Sequence, residues 1–176
     1  MSWIMTYTGR HFDLLDPRPE HVDILDIAHA LANTCRFAGH CLEFYSVAQH
    51  SVLSTLLVPR KHALAALMHD AAEAYVGDIT RPLKPHLSNY AEIEQGVWAV
   101  IAEAFDLPLI LPESVKHADR VMLATERRDL LPHDTTPWPC LDGVQPTEAV
   151  IRPMSPVIAR KAFLVTFNGL MGAYDY

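Results

Sequence analysis

His69 and Asp70 are adjacent near the end of an alanine-rich, helix-favouring run, so an imidazole and a carboxylate stand one residue apart on stiff backbone. That doublet reads as half of a metal site. His50, 19 positions before His69, and Asp119, 49 positions after Asp70, can complete it from two further helical stretches. Two neutral imidazoles with two carboxylates suit one borderline divalent cation, Zn, Co, Mn, Fe or Ni, and leave coordination positions for water and substrate. Such a cation is expected to be catalytic, because it lowers the pKa of bound water from about 16 to about 7 and neutralises a phosphoryl oxygen. Glu73 lies at i+4 from His69 and i+3 from Asp70, where it can orient or deprotonate the attacking water. A lone histidine in an apolar helix is more often a core or surface residue than a ligand, and Asp119 alone could equally cap or salt-bridge, so the argument rests on the set of four. The zinc metalloprotease pattern is excluded, since the second helical histidine it needs is absent after His69.

The elements that must carry these groups are legible as helices. Residues 3–12 mix β-favouring side chains with Gly9 and predict a short hairpin. Ile24, Ile27, Ala28 and Leu31 fall at i, i+3, i+4 and i+7, a helical stripe that stops near Asn33. Ser46 and Gln49 predict a capping box ahead of a helix whose face continues through Val52, Leu53, Leu56 and Leu57 to Pro59, with His50 in its first turn. Residues 61–76 contain no proline or glycine and predict one helix ending at Gly77. A further helix, capped by Ser88 or Asn89, turns Ile93, Val97, Val100, Ile101 and Ala104 inward and ends before Pro108. Pro112 opens the next in its first turn, running through Asp119 to Leu131. Residues 132–156 hold six of the thirteen prolines and predict an ordered loop or a lid. Ser155 and Pro156 start a last helix with Phe163, Phe167, Leu170 and Met171 inward. One edge of that helix is expected to serve a contact between copies, making a homo-oligomer.

With 176 residues, half of them hydrophobic, the chain is expected to form a single domain over 1–176. A net charge of −7 argues against polymeric nucleic acid, whose phosphates call for a basic face, but leaves room for a small anion. Cys35, Cys41 and Cys140 are odd in number and lack Cys-x-x-Cys spacing, which fits reduced thiols and a cytoplasmic protein. The start, Met1 to Met5 running into Thr6 to Arg10, does not read as a signal peptide, and no apolar run approaches membrane-spanning length, so no membrane partner is expected.

The order His50, His69-Asp70, Asp119 resembles the HD-domain metal-dependent phosphohydrolases, whose pattern is His, then His-Asp, then a distant Asp on separate helices. Within them the chain looks most like the YfbR-type 5'-deoxynucleotidases: the block from His69, Asp70, Ala71, Ala72 and Glu73 through Gly77, Asp78, Thr80, Pro82 and Lys84 follows that run closely, and the related phage dATP triphosphohydrolases share it. With Arg36 and Phe37 upstream, the likeness covers roughly 24–128. It implies an all-α HD-domain helical bundle, here with a short N-terminal hairpin. It also implies that Arg36 and Lys84 hold phosphate oxygens, Glu73 handles a proton with Asp70 beside it, Asp78 contacts the sugar, and Pro82 and Phe37 meet the base or sugar. The deoxynucleotidases usually carry tryptophan where this chain has Phe37. The expected reaction is release of phosphate from deoxynucleoside 5'-monophosphates. One alternative is removal of triphosphate from a dNTP such as dATP, for which Mg is a further candidate ion, and another is a non-catalytic, metal-stapled nucleotide sensor.

Overall fold

In the computed structural model, which describes residues 1–172, the chain opens with an antiparallel hairpin of β1 (Trp3–Met5) and β2 (His11–Asp13), pairing Ile4 with Phe12. Its turn is pinned to the first helix, because the Thr8 backbone amide and hydroxyl donate to the buried carboxylate of Asp26 at 2.6 and 2.9 Å. Phe12 points into the core and stacks on Tyr75, ring centroids 3.9 Å apart. Among the described residues everything after the hairpin is helix or loop, with helices α1 (Ile24–Asn33), α2 (Val47–Ser54), α3 (Ala63–Met68), α4 (Glu73–Val76), α5 (Tyr90–Ala104), α6 (Glu113–Leu130) and α7 (Pro156–Leu170). The protein is thus all-α with a short N-terminal hairpin, as the sequence predicts.

Helix α1 starts where the Asp23 carboxylate accepts from the Leu25 amide, and it buries Ile27, Ala28, Leu31 and Ala32. Helix α2 lies at the centre, packed on α1, α3, α6 and α7. This explains why small and polar residues fill it: Ala48, Ser51 and Ser54 allow close approach on several sides at once. The main core joins Ile27, Leu31, Val47, Leu67 and Met68 to Val97 and Ile101 of α5 and Phe163 and Phe167 of α7. Among the described residues no helix is long and apolar enough to cross a membrane, and the three cysteines are free thiols.

Several local expectations are corrected. The helix predicted over 61–76 is a 3-10 turn at Arg60–His62, then α3, then a tight turn, then α4. In that turn the amides of Ala71, Glu73 and Ala74 bond three residues back, to Met68, Asp70 and Ala71. Only half of the capping box forms: the Ser46 hydroxyl accepts from the Gln49 amide, while the Gln49 side chain instead donates to the Arg152 carbonyl and accepts from the Met154 amide. Helix α2 ends at Ser54, so Leu56 falls in a 3-10 turn and is exposed rather than continuing an inward face. Ala104 and Met171 are exposed at the frayed ends of α5 and α7, and Pro112 is the N-cap of α6, not a first-turn residue.

Candidate metal centre

Helices α2 and α6 and the turn after α3 aim three donors at one point. His50 Nε2 lies 3.2 Å from His69 Nε2 and 3.4 Å from Asp119 Oδ1, and His69 Nε2 lies 4.0 Å from the same carboxylate oxygen. Donors about 2.1 Å from a common ion at ordinary coordination angles sit about 3–4 Å apart, so the set fits one divalent cation. Asp70, the fourth expected ligand, places Oδ2 3.3 Å from His69 Nε2 and 3.6 Å from His50 Nε2, though it also accepts from Arg36 Nη1 at 3.4 Å.

Each imidazole is anchored through its other nitrogen. His69 Nδ1 donates to the Ala66 carbonyl at 2.7 Å, and His50 Nδ1 meets the Glu126 carboxylate at 2.5 Å. Both rings therefore keep Nε2 for the shared point, the arrangement expected of metal-ligating histidines with an outer partner. Two Nε2 lone pairs at 3.2 Å repel unless positive charge separates them. A proton on His50 can supply that charge as well as a cation can. Burial and Arg36 act to lower the His50 pKa, but Glu126 and Asp119 outweigh them and lift it to about 9. Burial acts to raise Asp119, yet its bond to His50 holds it far below the usual carboxylate range.

Glu126 is the functional residue the sequence reading missed. It is fully buried on α6 and also holds Arg36, whose Nε donates to Oε2 at 3.2 Å with Nη2 at 3.0 Å. Burial opposes its ionisation, but Arg36 and His50 keep it below the usual range. Its signal was available: Glu126 stands seven residues, two helical turns, beyond Asp119 and so on the same face. Arg36, pressed by burial toward lower pKa, is kept charged by Glu126 and Asp70 and retains at least two of its five N–H donors for another acceptor.

Asp70, Glu73 and Asp119 open onto a cavity of about 510 Å³, within the range that holds a small ligand. Arg36, Phe37, Asp78, Pro82 and Lys84 line it too, so every expected substrate-binding residue is brought to one place. Glu73 Oε2 is buried and has no hydrogen-bond partner among the described residues. Burial, helped by Asp70 and Asp78, raises its pKa well above the ordinary 4.5. Burial likewise raises Asp78. Lys84 Nζ is already bonded to Glu94 at 2.8 Å and lies 3.9 Å from Glu73, so it faces the cavity as a neutralised cation. Phe37 and Ala38 adopt left-handed backbone, φ 55° and 51°, in the tight loop that presents Arg36. Wall residues not anticipated include Arg81, 3.5 Å from Asp119 Oδ2, and Trp138 and Cys140 of the proline-rich loop. His40, close in sequence, is exposed and does not line the cavity.

No protein-family profile matches the chain. The uncharacterized protein YfdR of Escherichia coli (strain K12) is 48% identical over 171 residues, covering 97% of this chain and 96% of that protein. An uncharacterized protein of Rhodobacter capsulatus is 39% identical over 127 residues, covering 66% of this chain and 65% of its own length. Identity of that extent along nearly the whole of both chains makes the grouping plain: the chain belongs to the YfdR family.

Proposed function

We propose that the chain is an HD-type, metal-dependent phosphohydrolase that releases phosphate from deoxynucleoside 5'-monophosphates. The observation that carries this reading is the convergence of His50, His69 and Asp119, with Asp70 alongside, at the edge of a cavity that also holds Arg36 and a buried Glu73. A bound cation would be held by these donors and would supply Lewis-acid activation of water and of a phosphoryl oxygen.

The chain's own residues do the rest. Arg36, fixed by Glu126 and Asp70, offers its remaining N–H groups to the phosphoryl oxygens as charge develops on them. Glu73, protonated because it is buried beside Asp70 and Asp78, gives its proton to the departing 5'-oxygen. Water adds to phosphorus, the ester P–O bond breaks, the proton the water sheds restores protonated Glu73, and the products are inorganic phosphate and a deoxynucleoside. Asp78 is within the same cavity to accept from a sugar hydroxyl, and Phe37 and Pro82 give that part of the cavity apolar surface.

Purified protein incubated with the four common dNMPs and Mn or Co is expected to release phosphate, and no release from any of them overturns the proposal. A triphosphate substrate is the second reading, favoured by Arg81, which adds a third cation to the wall beside Arg36 and Lys84. Tripolyphosphate rather than phosphate as the product of dATP identifies it.

A further inference from the structure

Trp138 belongs to no part of the proposed chemistry, yet an arginine both covers its ring and ties down the chain before it. With Pro137 and Pro139, Trp138 lines both the main cavity and a second one of about 500 Å³, so it stands where the two meet. Arg127 lines only the second cavity and sets its guanidinium over the indole, Cζ 4.8 Å from the ring centre. The same guanidinium donates to the carbonyls of Asp134, at 3.0 Å, and Thr136, clamping the approach to the ring. Pro137 and Pro139 flank it and restrict the backbone on both sides.

The rest of the loop is stitched to the bundle. Arg128 donates to the carbonyls of Thr147 and Ala149 at 2.6 and 2.8 Å. The amides of Thr147 and Ile151 donate to Thr125 and Asp129 at 3.0 and 2.9 Å. Residues 132–156 are thus ordered against the bundle and supply part of the cavity wall. Arg127 covers one indole face and lines only the second cavity, which leaves the other face for the main cavity, where the Phe37 ring lies 6.5 Å away at 50°. A planar ring slotted between two others needs about 7 Å and near-parallel planes. That tilt rules out a sandwich, so one ring can stack on a flat ligand while the other packs against its edge or sugar.

We infer that Trp138 is the nucleobase-stacking platform of the cavity and that Arg127 is a positioning residue that holds the indole for it. The inference rests on the deoxynucleotide reading and gives that site its selectivity for a phosphate ester carrying a flat aromatic base over a bare sugar phosphate. Calorimetric titration of the full chain with dAMP and with 2-deoxyribose 5-phosphate, in enough chelator to halt turnover, tests it. Trp138→Ala is expected to weaken dAMP binding roughly 5- to 150-fold, the range for loss of one stacked base, and to leave 2-deoxyribose 5-phosphate unchanged. Trp138→Phe, which keeps a ring, should recover most of the loss and guards against a folding defect. Equal effects of Trp138→Ala on both ligands, or none on dAMP, overturn the inference. The two proposals fail separately: base-dependent binding that needs Trp138 without phosphate release in Mn sinks the hydrolase and leaves the platform, and phosphate release indifferent to Trp138 does the reverse.

Discussion

Exchanging Glu126 for Gln keeps the shape of a fully buried side chain but removes its charge and one of its two acceptor oxygens. The carboxylate serves two donors, His50 Nδ1 at 2.5 Å and Arg36 at 3.0–3.2 Å. A glutamine can offer its oxygen to one of them and must turn its amide N–H toward the other, donor against donor. Breaking a buried charged pair costs about 3–5 kcal/mol, and since Arg36 keeps Asp70 at 3.4 Å the lower end, about 3 kcal/mol, applies. In a chain of this size that is a fall in Tm of about 6–12 °C. The same change frees the His50 ring to turn, and loss of such an outer partner weakens metal binding about 10- to 100-fold. Thermal melts followed by circular dichroism and Mn titration calorimetry read the two effects. A Glu126→Gln protein that melts within about 2 °C of the parent and binds Mn as tightly would refute the claim that one carboxylate orients both the ligand and the arginine.

Glu73→Gln should lower phosphate release about 10²- to 10⁴-fold; a sensor would show no such change. The same variant carries a pH signature: because the folded-state pKa of Glu73 is raised from 4.5, the parent loses stability as pH rises above that value, so the variant should be the more stable at pH 7 and equal below about pH 4, as melts across pH will tell. Mn at about 100 times its Kd should add about 2.7 kcal/mol, a rise in Tm that excess chelator reverses and His50→Ala abolishes. Ala38→Gly relieves exposed left-handed backbone at φ 51°. Strain of about 1–2 kcal/mol against about 0.5–1 kcal/mol for glycine's extra unfolded freedom predicts a melt about 2 °C higher.

Helices α1, α6 and α7 were legible because their apolar residues recur at helical spacing and proline or a capping side chain marks their ends. The run 61–76 was not, and His69 explains why. Its Nδ1 takes the Ala66 carbonyl, and local side-chain bonds of that kind compete with the helix's own ladder. Composition alone, rich in alanine and free of glycine, contains no trace of that bond. Likewise Gln49 fits a capping box in sequence, but tertiary contact with the loop at Arg152 and Met154 claims its side chain. The site separates the same way. His50, His69, Asp70 and Asp119 were found from residue type and spacing, whereas Glu126, Arg81 and Trp138 touch it through packing that only the fold creates.

That separation has a structural logic. The donors His50 and Asp119, and Glu126 that supports His50, sit on α2 and α6, helices locked by packing on several sides, while much of the cavity wall comes from loops at 36–39, 77–84 and 137–140. Rigid elements fix donor distances to within the tolerance a metal requires, and loops can change their side chains without disturbing it. Glu126 is where the two halves meet, because its carboxylate holds a proposed ligand with one oxygen and the anion-facing arginine with the other. Metal and phosphate affinities are then linked through that group: an anion drawing Arg36 away from Glu126 strengthens the remaining bond to His50, and a cation on His50 Nε2 strengthens the hold of Glu126 on the Nδ1 proton. Reciprocity follows by thermodynamic necessity, so a phosphate-bearing ligand that tightens Mn binding must itself bind tighter when Mn is present, and by the same factor. Cation and anion also attract directly, which alone gives such a coupling, so the Glu126 contribution is the part of the factor that Glu126→Gln removes.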